Sequence, residues 1–178
     1  MATISNTPRP GYIYDTTDGV WYPIGVGAHS HDLSAYAVAA YGTLTAPVVI
    51  SPEERWTVAA SAAGSTVNFD ADTQGVLYYT SNSSANWTLN VRGTSGSTLA
   101  SKLAVGDSAT ISFLATNSTA YYMTALTIDG NAQTVKWSGG TAPSAGNANA
   151  IDVYQFTIIK TAATPTYTVL GAGPIKYA

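Results

Sequence analysis

His29 and His31 are the two histidines of the chain, and a single residue separates them. On an extended backbone alternate side chains share a face, so both imidazoles would project from one side. Neutral imidazole is a good ligand for first-row transition metals, but two rings alone leave a coordination sphere incomplete. The competing reading is an exposed polar loop over residues 25–34, with both rings solvated.

The acidic residues make a weaker case for chemistry. Asp70 and Asp72 would also share a face if extended, and paired carboxylates serve glycosidases when they flank a cleft in different environments. Their setting, Asp70-Ala71-Asp72-Thr73-Gln74-Gly75, has the composition of a turn, and the turn reading is preferred. Glu53 and Glu54 follow Ser51-Pro52 and read as an acidic pair at a turn rather than as an acid and a base. No histidine stands in a nucleophile-elbow context and no glycine-rich phosphate loop is present, so the expectation is a non-enzymatic protein.

Composition narrows the classes further. Charged residues make up 10% of the 178 residues, against roughly a quarter in ordinary soluble proteins, so small uncharged polar residues must cover much of the surface. The seven cations are scattered and the net charge is −3, which disfavours phosphate-driven nucleic-acid binding. Cysteine is absent, which removes disulfides, thiolate metal sites and thiol nucleophiles together. No apolar run approaches the ~20 residues of a membrane helix, and no basic stretch followed by an apolar run opens the chain, so neither a membrane protein nor a classical secreted precursor is expected.

The elements that must position these residues are strands. From Val48 onward apolar and hydroxyl residues alternate in short stretches separated by Gly, Asn, Ser, Asp or Pro. Trp56, Val58 and Ala60; Val67 and Phe69; Trp87, Leu89 and Val91; Ile111, Phe113 and Ala115; and Tyr154, Phe156 and Ile158 each predict one buried face. Residues 75–80, 121–128 and 166–170 add further strands. Asp129-Gly130-Asn131 suits a tight hairpin, and Asn82-Ser83-Ser84 and Asn117-Ser118 are read as hairpin turns too. Residues 98–105 could form a helical turn, and 138–147 a long exposed loop. The expected fold is all-β, an antiparallel two-sheet sandwich of jelly-roll type over residues 46–178.

Residues 1–45 read differently, as an attachment segment. Asn6, Thr7, Pro8 and Pro10 suit an extended arm, and residues 11–25 read as an aromatic hairpin turning at Asp18-Gly19. A lone hairpin is marginal in water, so Tyr12, Tyr14, Trp21, Tyr22 and Ile24 are expected to be buried against the sandwich or another chain. Residues 33–41 have helix-like spacing or form a linker. The twelve Tyr and four Trp invite a carbohydrate-binding reading. Trp56 and Trp87 are expected in the core, and Tyr79, Tyr121 and Tyr154 in the core or at a chain contact, leaving no specific glycan contact assigned. The Asn-x-Ser/Thr matches at Asn82, Asn86 and Asn117 are expected by chance in so hydroxyl-rich a chain.

Several runs carry a family resemblance. Gly27-Ala28-His29-Ser30-His31, Pro52-Glu53-Glu54-Arg55-Trp56-Thr57-Val58, Asn68-Phe69-Asp70, Gly75-Val76-Leu77-Tyr78-Tyr79-Thr80 and Asn86-Trp87-Thr88-Leu89-Asn90-Val91-Arg92-Gly93 are the first of them. Lys136-Trp137-Ser138-Gly139-Gly140-Thr141-Ala142-Pro143, residues 151–161 and Tyr167-Thr168-Val169-Leu170 continue it. Together they resemble virion structural or fibre proteins of marine tailed bacteriophages, cyanophages especially. The resemblance implies a particle component, a head, neck or tail fibre or a decoration protein, assembled in the bacterial cytoplasm with other virion proteins as partners. It also implies a homotrimer, in which His29 and His31 of three chains could supply six imidazoles to one metal ion, iron foremost, on the threefold axis. The alternative is an adhesin module that binds a host-surface carbohydrate.

Overall fold

The computed structural model describes Tyr12–Asp15, Val20–Pro23 and residues 56–178. The chain divides into two compact units, Met1–Ile50 and Ser51–Ala178. In the first, β1 (Tyr12–Asp15) pairs antiparallel with β2 (Val20–Pro23), Ile13 opposite Tyr22 and Tyr14 opposite Trp21. The arm over residues 1–10, Ile24, His29, His31, the 33–41 stretch, Glu53 and Glu54 lie outside the described residues.

The regular structure of the second unit is strand apart from two short 3₁₀ turns, and the strands form two sheets. Its strands are β3 (Trp56–Ala62), β4 (Ser65–Asp70), β5 (Val76–Ser81), β6 (Trp87–Arg92), β7 (Ser108–Asn117), β8 (Met123–Ile128), β9 (Asn131–Gln133), β10 (Val135–Trp137), β11 (Ala150–Ala162) and β12 (Thr166–Tyr177). A six-stranded sheet has the order β10-β12-β11-β7-β5-β3, and a four-stranded sheet the order β4-β6-β8-β9.

The strands fall near their expected positions, but the pairing corrects the antiparallel expectation. From β3 to β8 the chain crosses to the other sheet at every connection. Strands two apart in sequence therefore become neighbours and run parallel: β3 with β5, β5 with β7, β4 with β6, and β6 with β8. Three consecutive arches stack on one another. Asn82-Ser83-Ser84 and Asn117-Ser118 are arch corners, not hairpin turns, and the corners bond to each other. Ser84 N–H donates to Ala63 O at 2.7 Å, and Ser83 N–H to Thr116 O at 2.8 Å. Tyr122 N–H donates to Asn86 Oδ1 at 3.0 Å. Gly64 fits because any Cβ there would collide with Ser84 Oγ.

Hairpin pairing begins after the third arch. Asp129 (φ 51°) and Gly130 (φ 80°) adopt the left-handed backbone that a two-residue hairpin turn needs, joining β8 to β9. Strand β11 lies antiparallel between β7 and β12, and β10 closes the sheet parallel to β12.

The core lies between the sheets. Val67, Phe69, Leu89, Val91, Leu126 and Ile128 face inward from one sheet, and Leu77, Ile111, Phe113, Tyr154, Phe156, Ile158 and Val169 from the other, all nearly or fully buried. Trp87 meets Phe113 and Tyr154 edge-on, with ring centroids 6.0 and 5.9 Å away, a favoured aromatic geometry. Tyr154 is wholly buried and its hydroxyl accepts a hydrogen bond from Met123 N–H at 3.3 Å. Tyr79 and Tyr121, partly buried, pack against the same core.

Two polar anchors hold the excursion between β6 and β7, whose 3₁₀ turn at Leu99–Ser101 meets the expectation of a helical turn. The Asp129 carboxylate accepts from Leu99 N–H at 2.7 Å and Ala100 N–H at 3.1 Å. The nearly buried Lys160 ammonium donates to Ala100 O and Leu103 O, both at 2.7 Å. Negative charge thus meets the free N–H groups and positive charge the free carbonyls, matching the turn's dipole.

Candidate interaction face

The two sheets present opposite kinds of outer surface. On the four-stranded sheet the parallel register puts Asn68 beside Asn90 and Asn90 beside Thr127. Asn90 Nδ2 donates to Asn68 Oδ1 at 2.9 Å, and Thr127 Oγ1 donates to Asn90 Oδ1 at 2.8 Å. The next outward pair is ionic, Arg92 Nε to Asp70 Oδ1 at 2.6 Å. This side is a hydrogen-bonded polar ladder.

On the six-stranded sheet one register row crosses five strands. Val58 of β3 stands beside Tyr78 of β5, Tyr78 beside Leu114 of β7, Leu114 beside Val153 of β11, and Val153 beside Ile175 of β12. Side chains at paired positions share a face. Their inward neighbours, Leu77, Phe113, Ala115 and Tyr154, are in the core, so the row itself points outward. An irregularity in the β11–β12 pairing lets β12 advance from Ala172 to Ile175 while β11 advances from Gln155 to Val153, which brings Ile175 back to the outer side.

Flanking rows extend this surface. Trp56 lies on one side of Val58, and Ile151 and Tyr177 pair on the other side of Val153 and Ile175. Of the large apolar side chains exposed among the described residues, Trp56 (53%), Val58 (62%), Leu170 (44%), Ile175 (40%) and Tyr177 (58%) belong to this face, and Val105 alone lies elsewhere. Strands β3, β5, β7, β11 and β12 place no charged residue on the outer phase, because Asp152, Lys160 and Lys176 have the opposite phase. Lys136, on the edge strand β10 beside Leu170, is the charged residue at its margin. There Thr110, Gln155, Thr157, Leu170 and Ala172 border a shallow depression of about 530 Å³.

Trp56 was expected in the core with Val58 and Ala60, and this is corrected. The alternation is real, but the register sets Thr57 beside Leu77 and Ala59 beside Tyr79, both inward-facing, which turns Trp56 and Val58 to the outside. The rest of the face was missed, although a signal exists: β11 carries apolar residues on both phases, as in Ile158-Ile159, where a strand with one solvated side would alternate with polar residues.

The five aspartates of residues 56–178 are all engaged structurally. Asp70 pairs with Arg92, and Asp72 with Lys102 at 2.7 Å in the turn after β4. Asp107 Oδ2 accepts from Ala104 N–H at 2.9 Å, and Asp129 caps the 3₁₀ turn. Asp152, fully buried, accepts from Asn117 Nδ2 at 3.0 Å, Asn147 N–H at 2.9 Å and Asn147 Nδ2 at 2.7 Å, which ties down the far end of the 138–147 loop. Asp70 and Asp72 therefore do not converge on a cleft. Burial pushes the hydroxyl pKa of Tyr154 well above the usual tyrosine range, overriding the bond from Met123 N–H. Burial raises Tyr79 and Tyr167 too, helped by the nearby carboxylates of Asp70 and Asp129 respectively.

No cluster of three or more His, Cys, Asp or Glu side chains occurs among the described residues, which do not include His29 and His31. No helix among them is long and apolar enough to cross a membrane. Comparison with protein-family models, with curated proteins and with solved structures finds no match.

Proposed function

We propose that the chain is a non-enzymatic structural component of a bacteriophage particle, a fibre or decoration protein whose β body is stationed by the segment over residues 1–45. The observation that carries this reading is the uncharged row Val58–Tyr78–Leu114–Val153–Ile175 with its exposed flank, a surface suited to protein contact. The sequence resemblance and the structural engagement of Asp70, Asp72, Asp107, Asp129 and Asp152 support it. Tyr12, Tyr14, Trp21, Tyr22 and Ile24 are the proposed attachment residues. His29 and His31 of three chains are the proposed ligands of a transition metal, iron foremost, at a threefold axis.

The test is incorporation. Tagged full-length chain is expected in purified particles, and a chain lacking residues 1–45 is expected to stay folded and be left out. Incorporation of the shortened chain, or turnover of a substrate by the full chain, would overturn the reading. Metal content of the purified protein, compared with the His29→Ala/His31→Ala variant, tests the metal; a metal-free wild type removes it.

A second reading, a host-surface carbohydrate-binding module, draws on the exposed rings of Trp56 and Tyr177, since an exposed aromatic ring can stack on the apolar face of a sugar. Saturable binding on a glycan array, abolished by Trp56→Ala or Tyr177→Ala, would favour it over a purely structural role.

A further inference from the structure

We propose that the outer face of the six-stranded sheet packs against the same face of a second copy of this chain. The inference rests on the assembly role proposed above and names the partner that covers this face.

Charge selects the occupant. Five strands present no ionised group on this side. A partner whose opposing surface carried charges would have to desolvate them without pairing them, which opposes binding. The best match is a surface equally free of charge, and the chain itself carries one. The four-stranded sheet does not qualify, since Asp70 and Arg92 stand on its outer side. The polar ladder and the apolar row thus divide the body into a solvent side and a contact side.

Area supports the same occupant. Strands β7, β11 and β12 run 10, 13 and 12 residues, and β3 and β5 run 7 and 6. At about 3.3 Å per residue and about 4.8 Å between strands, the five present on the order of 760 Å² in projection. Side-chain relief makes the accessible area larger, so the face approaches the roughly 800 Å² per partner of a stable interface. Sheets pack face to face at about 10 Å through interdigitated apolar rows, and a symmetry axis brings like rows together.

The experiment uses the full chain at concentrations up to ~100 µM, with light scattering and sedimentation equilibrium. Wild type is expected with an even number of chains, a dimer or, combined with the threefold axis proposed above, a hexamer, because a face that meets itself requires a twofold axis. Val58→Lys with Ile175→Lys replaces two outward side chains at the ends of the row and should halve that number with the fold retained, checked by circular dichroism. Thr66→Lys with Thr88→Lys, on the four-stranded sheet, should leave the oligomer intact. If the lysine pair unfolds the chain, Val58→Thr with Ile175→Thr should weaken association at least tenfold while preserving the fold. A monomeric or trimeric wild type would overturn the inference, leaving the face to the N-terminal segment, to another virion protein or to a glycan. So would an oligomer that survives the face variants unchanged. Particle incorporation is read separately, so failure here does not decide the virion reading.

Discussion

Replacing Asn90 by Ala should destabilise the body by about 2 kcal/mol, although its side chain lies on the outside of the sheet. It removes three hydrogen bonds that only the parallel register brings together: Asn90 Nδ2 to Asn68 Oδ1 at 2.9 Å, Thr127 Oγ1 to Asn90 Oδ1 at 2.8 Å, and Gly130 N–H to the same oxygen at 2.9 Å. A net bond contributes about 0.5–1.5 kcal/mol, toward the lower end where water can substitute. The Asn68 contact is exposed and should contribute about 0.5 kcal/mol, and the two bonds at the Asn90 oxygen the remainder. Asn90→Asp keeps both acceptor bonds and should cost less than Asn90→Ala. A double-mutant cycle with Asn68→Ala should give a coupling of about 0.5 kcal/mol. The assay is equilibrium urea unfolding with the m value unchanged. A cost for Asn90→Ala within about 0.5 kcal/mol of zero, as for an ordinary surface substitution, together with zero coupling to Asn68, would refute the ladder and the stacked-arch register behind it.

Asp129 both caps the 3₁₀ turn and sits at φ 51°. Asp129→Gly should therefore cost about 1 kcal/mol for the lost cap, and Asp129→Ala about 1 kcal/mol more for backbone strain, as read by urea unfolding; equal costs would exclude the strain. Asp152→Ala leaves the Asn117 and Asn147 donors without their acceptor and should cost about 3 kcal/mol, with faster amide exchange at Asn147 as its local signature. Stability should fall at alkaline pH. The folded-state pKa of Tyr154 is raised above its unfolded value of about 10, so its contribution is intact below pH 10 and declines as pH rises, by roughly 1 kcal/mol at pH 11. Urea unfolding at pH 8 and pH 11 measures the loss, and Tyr154→Phe should lessen it.

Strand positions were legible because alternation marks them: Val67/Phe69, Trp87/Leu89/Val91, Ile111/Phe113/Ala115 and Tyr154/Phe156/Ile158 all face the core as expected. Which strands pair was not. A short polar corner such as Asn82-Ser83-Ser84 can reverse the chain within one sheet or carry it to the other, and the choice depends on corner-to-corner bonds such as Ser84 N–H to Ala63 O. The contact face was hidden for a related reason. Val58, Tyr78, Leu114, Val153 and Ile175 are spread over more than a hundred residues, and only the pairing aligns them. Period-two alternation also fixes phase without fixing direction, which is why Trp56 faces outward.

A reconstruction of intact phage particles purified from cells that produce this chain tests the central claim, that the chain is a particle component, most directly. It should show the β body on the particle, with Val58, Leu114, Val153 and Ile175 buried against protein and the Asn68–Asn90–Thr127 ladder facing solvent. Absence of the chain from the particle, or a six-stranded sheet whose outer face is open to solvent there, would contradict it.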